Sequence, residues 1–166
     1  MLVDRMTEHD VQRALAMYVE WWRVCCVPNL CRWHEMDIAV MTTSGYLWEY
    51  EIKVTQSDWN RDIKKRHRQN WFQPWAAPVK RFYYVYARGL VCPDWVHEGT
   101  GLIEASWQVS DGWRHKKGEQ HVNLKQMRGP KDRKVQKIKE RDQTAIWRSA
   151  YHRYWQRMLK DEKVSK

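Results

Sequence analysis

The residues with the clearest chemical potential are His34-Glu35-Met36-Asp37 and, fourteen positions after Asp37, Glu51-Ile52-Lys53. They set clustered carboxylates against a carboxylate and a lysine two apart. Carboxylates crowded together repel one another unless a cation or a proton lies between them. An all-oxygen donor set of this kind suits Mg²⁺, which takes a few carboxylates and keeps several waters. A lysine beside such an ion positions or deprotonates a bound water, or neutralises charge that grows on a phosphate. The same residues would also serve as salt bridges on an exposed hairpin.

Two strands would bring these groups together, because successive β side chains point to opposite faces. In 34–41, Glu35, Asp37, Ala39 and Met41 share one face, and His34, Met36, Ile38 and Val40 the other. In 46–53, Leu47, Glu49, Glu51 and Lys53 lie opposite Tyr46, Trp48, Tyr50 and Ile52. The acids fall on a single face in each strand. Thr42-Thr43-Ser44-Gly45 is a polar, glycine-containing turn that fits an antiparallel hairpin. Cross-strand neighbours on one face are about 5 Å apart, so Asp37 is expected close to Glu51 and Lys53, with Glu35 on the same face as a further metal-binding acid.

The flanking elements follow from period and punctuation. Thr7 is an expected N-cap, with Asp10 three residues on in a near capping box. Val11, Leu15, Tyr18, Val19 and Trp22 then recur at helical spacing. Val27-Pro28-Asn29 ends that unit. A second helix is predicted from Asp58 to about Asn70 with Ser57 as N-cap and Trp59 and Ile63 as inward anchors. Its Lys64, Lys65 and Arg68 are candidate phosphate contacts. Phe82–Ala87 and Leu102–Trp107 read as strands. Residues 110–130, with Gly112, Gly118, Gly129 and Pro130, read as a mobile basic connection, and Asp132 to Asp161 as a long helix. The fold class is α/β, with a core over 1–110 and a basic extension over 111–166.

The chain has 166 residues, a net charge of +10 and a pI near 9.6. Residues 1–110 balance Lys and Arg against Asp and Glu, so the whole excess lies in 111–166. A basic surplus with interleaved aromatics points to a polyanionic partner. Arg133, Lys134, Lys137, Arg141 and Arg148 are the candidate DNA contacts there. Trp147, Tyr151 and Trp155 recur near helical spacing, which predicts packing of the helix onto the domain, with stacking on unpaired bases as the alternative. Cys25, Cys26, Cys31 and Cys92 lack the paired spacing of a zinc site. With no signal-like start and no apolar run of 18 residues, no membrane association is expected. The expected location is the cytoplasm, that of the host where a phage carries the gene.

The order helix, Asp strand, Glu-x-Lys strand, helix, Tyr-rich strand resembles the PD-(D/E)XK nuclease superfamily, closest to its small phage and bacterial members. The resemblance runs from about residue 7 to 107. It is carried by Val27-Pro28-Asn29, His34 to Asp37, Ser44-Gly45-Tyr46, Glu49 to Lys53, Ser57-Asp58, Asp62 and Lys65, then Pro93 and Gly101-Leu102-Ile103. Met36 stands where the superfamily name has proline. The resemblance implies a restriction-endonuclease-like central mixed sheet flanked by helices, with the basic C-terminal helical extension added. It implies Asp37 and Glu51 as metal ligands, Lys53 as the catalytic lysine and Mg²⁺ (or Mn²⁺) as cofactor. A helix glutamate is expected as a further ligand, with Glu8 preferred over Glu20, and Gln56 and Ser57 lie where similar nucleases place polar groups near the substrate. The expected activity is Mg²⁺-dependent endonucleolytic hydrolysis of DNA, selective for branched, flap or single-stranded forms. The alternatives are a catalytically inactive nucleic-acid- or partner-binding protein on the same fold, or a chain directed to RNA. A homodimer is compatible with this reading, though no interface is legible.

Overall fold

The computed structural model describes residues 5–19, 23–62, 77–113 and 115–164. Six strands form one mixed sheet in chain order: β1 (Arg23–Cys31), β2 (Glu35–Thr42), β3 (Leu47–Lys53), β4 (Val79–Ala87), β5 (Gly101–Val109) and β6 (Gln120–Arg128). β3, β4 and β5 run parallel, and the outer pairs β1/β2, β2/β3 and β5/β6 are antiparallel. Three helices flank the sheet: α1 (Glu8–Tyr18), α2 (Gln56–Asp62) and α3 (Glu140–Val164). The α/β expectation holds. Among the described residues no helix is long and apolar enough to cross a membrane.

The alternation of β3 divides the core. Tyr50 and Ile52 join Val40, Val85, Ile103 and the inward Val11 and Leu15 of α1. Leu47 on the opposite face joins Met41, Val79, Ile138 and Ile146, so the segment before α3 and the start of α3 cover that side. Trp59 of α2 packs on Tyr84, Tyr86 and Leu102, further along the same face. The capping box at α1 forms with Asp: the Thr7 hydroxyl accepts from Asp10 N at 3.2 Å, and the Asp10 carboxylate accepts from Thr7 N at 2.9 Å.

Four elements differ from expectation. The first helix stops at Tyr18 and the chain turns into β1, an edge strand hidden from sequence by Pro28 and by Asn29, whose φ of 50° interrupts the regular strand. α2 begins two residues early, with Thr55 rather than Ser57 as its cap: the Thr55 hydroxyl accepts from Asp58 N, and the Asp58 carboxylate accepts from Thr55 N. The later part of that predicted helix lies outside the described residues. The described residues of 110–130 are no mobile connection. Gly112 and Gly118, at φ 109° and 85°, shape a hairpin turn, and 120–128 pairs with β5 as the sixth strand. Residues 131–139 form no helix, and several of their N–H groups are taken by distant carbonyls: Lys131 N by Gly99 O, Arg133 N by Lys80 O and Ile138 N by Gly45 O.

Gly101 begins β5 directly against the Tyr83 ring. A Cβ there would overlap that ring, with Tyr83 Cε1 at 2.7 Å. Tyr83 cannot swing away, since it is stacked on Tyr50 at 4.6 Å and 5°. Gly101→Ala is expected to lower unfolding free energy by about 1–3 kcal/mol, read by urea denaturation, the usual cost of overpacking. A change below about 0.5 kcal/mol would show that the stacked pair yields.

Candidate active site

The β2/β3 ladder runs from Met41/Leu47 to Ile38/Tyr50 and stops there. Past that point the Asp37 carboxylate takes over the role of a backbone partner, with Oδ2 accepting from Ile52 N at 2.7 Å. The break also moves a neighbour: Met36 packs with Ala39 and Met41 on the α3 side, not with Ile38 and Val40 as alternation predicts. Gln12 of α1 braces this end of the ladder, its Nε2 lying 2.8 Å from Glu8 Oε1, 3.1 Å from Asn29 Oδ1 and 3.3 Å from the Asp37 carbonyl oxygen.

Glu51 and Lys53 lie one residue either side of Ile52 and are both buried, at 6 % and 4 % exposure. Lys53 Nζ donates to Glu51 Oε1 at 2.9 Å and is 3.2 Å from Asp62 Oδ1. Tyr84 OH donates to the other Asp62 oxygen at 2.6 Å. Asp62 carried no expected role, although it belongs to the quoted pattern. The signal for it is its position three residues after Trp59, on the inward flank of α2.

Charge is concentrated here. Burial pushes the Asp37 carboxyl up to about 7, helped by Glu51 and Glu8, while the Ile52 N–H and Lys53 act against it. Glu8 is raised by partial burial and by Glu51, Asp58 and Glu35. Burial alone would lower the Lys53 ammonium, but Glu51 and Asp62 outweigh it and hold the group protonated. That disfavours the general-base role for Lys53 and favours a cationic one.

The donor chemistry of this patch fits a hard divalent cation: oxygen donors, an excess of negative charge and a carboxyl, Asp37, that burial and its acidic neighbours hold well above the ordinary range. Among the described residues no three His, Cys, Asp or Glu side chains already close on one point. Glu8, exposed at the start of α1, accepts from Gln12 Nε2 at 2.8 Å, a bond it would give up to turn toward Asp37.

The other expected residues spread out. Glu35 is exposed at the start of β2, where its charge reaches Glu8. Glu49 is buried and bonded to His34 Nε2 at 2.8 Å. Gln56 ties α2 to the loop between β4 and β5, donating to Val91 O at 3.3 Å and accepting from Val91 N at 3.2 Å. Ser57 is exposed beside it. Lys64, Lys65 and Arg68, and the alternative ligand Glu20, lie outside the described residues. Arg133 is partly buried and burial lowers its guanidinium against the pull of Glu49, so it faces the sheet rather than an open basic surface. Lys134, Lys137, Arg141 and Arg148 are exposed. Trp147, Tyr151 and Trp155 are exposed too, which corrects the expectation that they pack α3 onto the domain; Ile146 does that instead.

No protein-family model matches the chain, and no curated protein does. A solved structure is similar over nearly its full length: the SPO1766 protein of unknown function from Silicibacter pomeroyi, with a TM-score of 0.60 and 14 % identity over 97 % of this chain and 96 % of that one. At that identity the likeness is one of fold.

Proposed function

We propose that the protein is a divalent-metal-dependent deoxyribonuclease on a restriction-endonuclease-like sheet. The observation that carries this reading is the end of the β2/β3 ladder, where the Asp37 carboxylate caps Ile52 N between Glu51 and Lys53. Asp37 and Glu51, with Glu8 turned inward, would hold Mg²⁺ or Mn²⁺. Bound there, such an ion lowers the pKa of a water and draws charge from a phosphate. Lys53, kept cationic by its two carboxylates, stands ready to orient a nucleophilic water or shield the charge that develops on the phosphate. Asp62 and Tyr84 fix where that ammonium sits. Lys134, Lys137, Arg141 and Arg148 supply exposed cations for the DNA backbone.

The test is cleavage of supercoiled plasmid and branched DNA by wild type and Asp37→Ala in Mg²⁺, Mn²⁺ or chelator. Metal-dependent cutting that falls at least a hundredfold in the variant is expected. Equal residual cutting in both proteins sinks the site. The rival reading, a binding protein that does not cut, draws on the ion pairing of Lys53 on both sides, an arrangement that also suits a purely structural role. It wins if wild type binds DNA with a steep salt dependence yet cuts nothing.

A further inference from the structure

We infer that the outward face of α3 is a platform for single-stranded DNA that feeds the Asp37–Glu51–Lys53 site; the inference rests on the nuclease reading of that site and names its substrate class. Trp147, Tyr151, Tyr154 and Trp155 are spaced to share one flank of the helix and are 46 %, 62 %, 58 % and 45 % exposed. The helix cannot roll to bury them. Ile146 on the opposite flank sits in the core, Arg32 holds Asp142 at 2.6 Å, and Arg153 donates to the Asn29 carbonyl at 2.5 Å. Tyr151 and Tyr154 meet the Trp155 ring edge to face, with centroids 6.0 and 5.5 Å away, which orders the cluster without covering it.

Charge selects the occupant. From Gln143 to Gln156 there is no Asp or Glu, while Arg148 borders the aromatics and Arg153 lies on the inward flank, bonded to Asn29. Two copies of the chain joined through this stripe would bring like cations together with no carboxylate between them. A phosphodiester strand brings the opposite charge at every nucleotide and a flat ring for each aromatic. Bases stacked inside a duplex cannot meet these rings, so the stripe favours unpaired ones. Trp147 to Trp155 spans about 12 Å of helix, room for roughly three bases at stacking distance.

Position links the stripe to the site. The Asn29 that receives Arg153 also accepts from Gln12, and Gln12 reaches both Glu8 and the Asp37 carbonyl. Arg153 thus ties α3 beside the end of the β2/β3 ladder, where a strand lying on the helix would reach the acids. Asn29 holds this junction at φ 50°, a left-handed conformation that asparagine tolerates better than most residues.

The experiment is fluorescence anisotropy of a labelled oligothymidylate and of a labelled duplex, both in chelator so that no cutting occurs. Wild type is compared with combined Trp147→Ala, Tyr151→Ala and Trp155→Ala, and with the same three positions changed to Phe. The alanine protein, shown folded by circular dichroism, is expected to bind oligothymidylate at least tenfold more weakly, with duplex binding within about twofold and the salt slope unchanged. The phenylalanine protein is expected to keep near wild-type affinity. Unchanged single-strand affinity in the alanine protein, or equal losses on both DNAs, overturns the proposal. So does a wild-type dimer in sedimentation that the alanine changes dissolve while oligothymidylate affinity stays the same. Cleavage in Mg²⁺ or Mn²⁺ is scored separately: a wild type that binds single strands through the stripe but cuts nothing loses the nuclease reading, not the platform.

Discussion

Lys53→Met is expected to cost about 3 kcal/mol of stability and at least a hundredfold in cleavage, and a second substitution separates the two losses. The stability loss follows from what stays behind. Glu51 and Asp62 are buried on either side of the ammonium, and removing it leaves both carboxylates uncompensated, which is far more costly than losing a surface ion pair. Adding Asp62→Asn removes one stranded charge while its amide oxygen still accepts from Tyr84 OH. The double variant should therefore regain much of the stability in urea denaturation. Cleavage should stay low in both, because the cation that faces the phosphate is missing in both. If Lys53→Met with Asp62→Asn cuts DNA at the wild-type rate, Lys53 is only part of a structural ion-pair network.

That network marks the limit of what the chain discloses by itself. The alternation of 47–53 is legible because one face is apolar enough to need a core, and Trp48, Tyr50 and Ile52 find it under α1. Glu51 and Lys53 follow by parity. Asp37 is a different case: its type and spacing mark it as a candidate ligand, but parity fails at Met36 because the ladder ends and a side chain replaces a strand partner. Asp62 looks like an ordinary helix acid until α2 is seated by Trp59, three residues before it. β6 lacks a strong strand signature because it is an edge strand, its odd and even positions only half-buried where they touch the protein at all. Residues 131–139 carry a helical pattern of apolar positions, yet carbonyls of Gly99, Lys80 and Gly45 claim their N–H groups first. In each instance the missing information is a partner distant in sequence.

Asp37 also makes stability depend on pH and on divalent cations in a linked way. Its folded-state carboxyl titrates at about 7, above the ordinary 3.8, because burial and the neighbouring Glu51 and Glu8 disfavour the charge. The native protein therefore keeps this proton longer than the unfolded chain does. The resulting contribution is full below the ordinary value and is lost as pH rises through 7, and Glu8, raised in the same direction, adds to it. In chelator, unfolding free energy should fall by on the order of 3 kcal/mol between about pH 4 and pH 8. A divalent cation binds the deprotonated carboxylate and must displace that proton, so Mg²⁺ should raise the melting midpoint little at pH 5.5 and several degrees at pH 8. Asp37→Asn, which keeps an oxygen for Ile52 N but cannot ionise, should flatten the pH profile and abolish most of the Mg²⁺ effect. Differential scanning calorimetry of both proteins across that range reads all of these effects. Identical pH profiles would remove Asp37 as the titrating group. An equal Mg²⁺ shift in both would place the cation elsewhere on the chain, and with it the cutting centre.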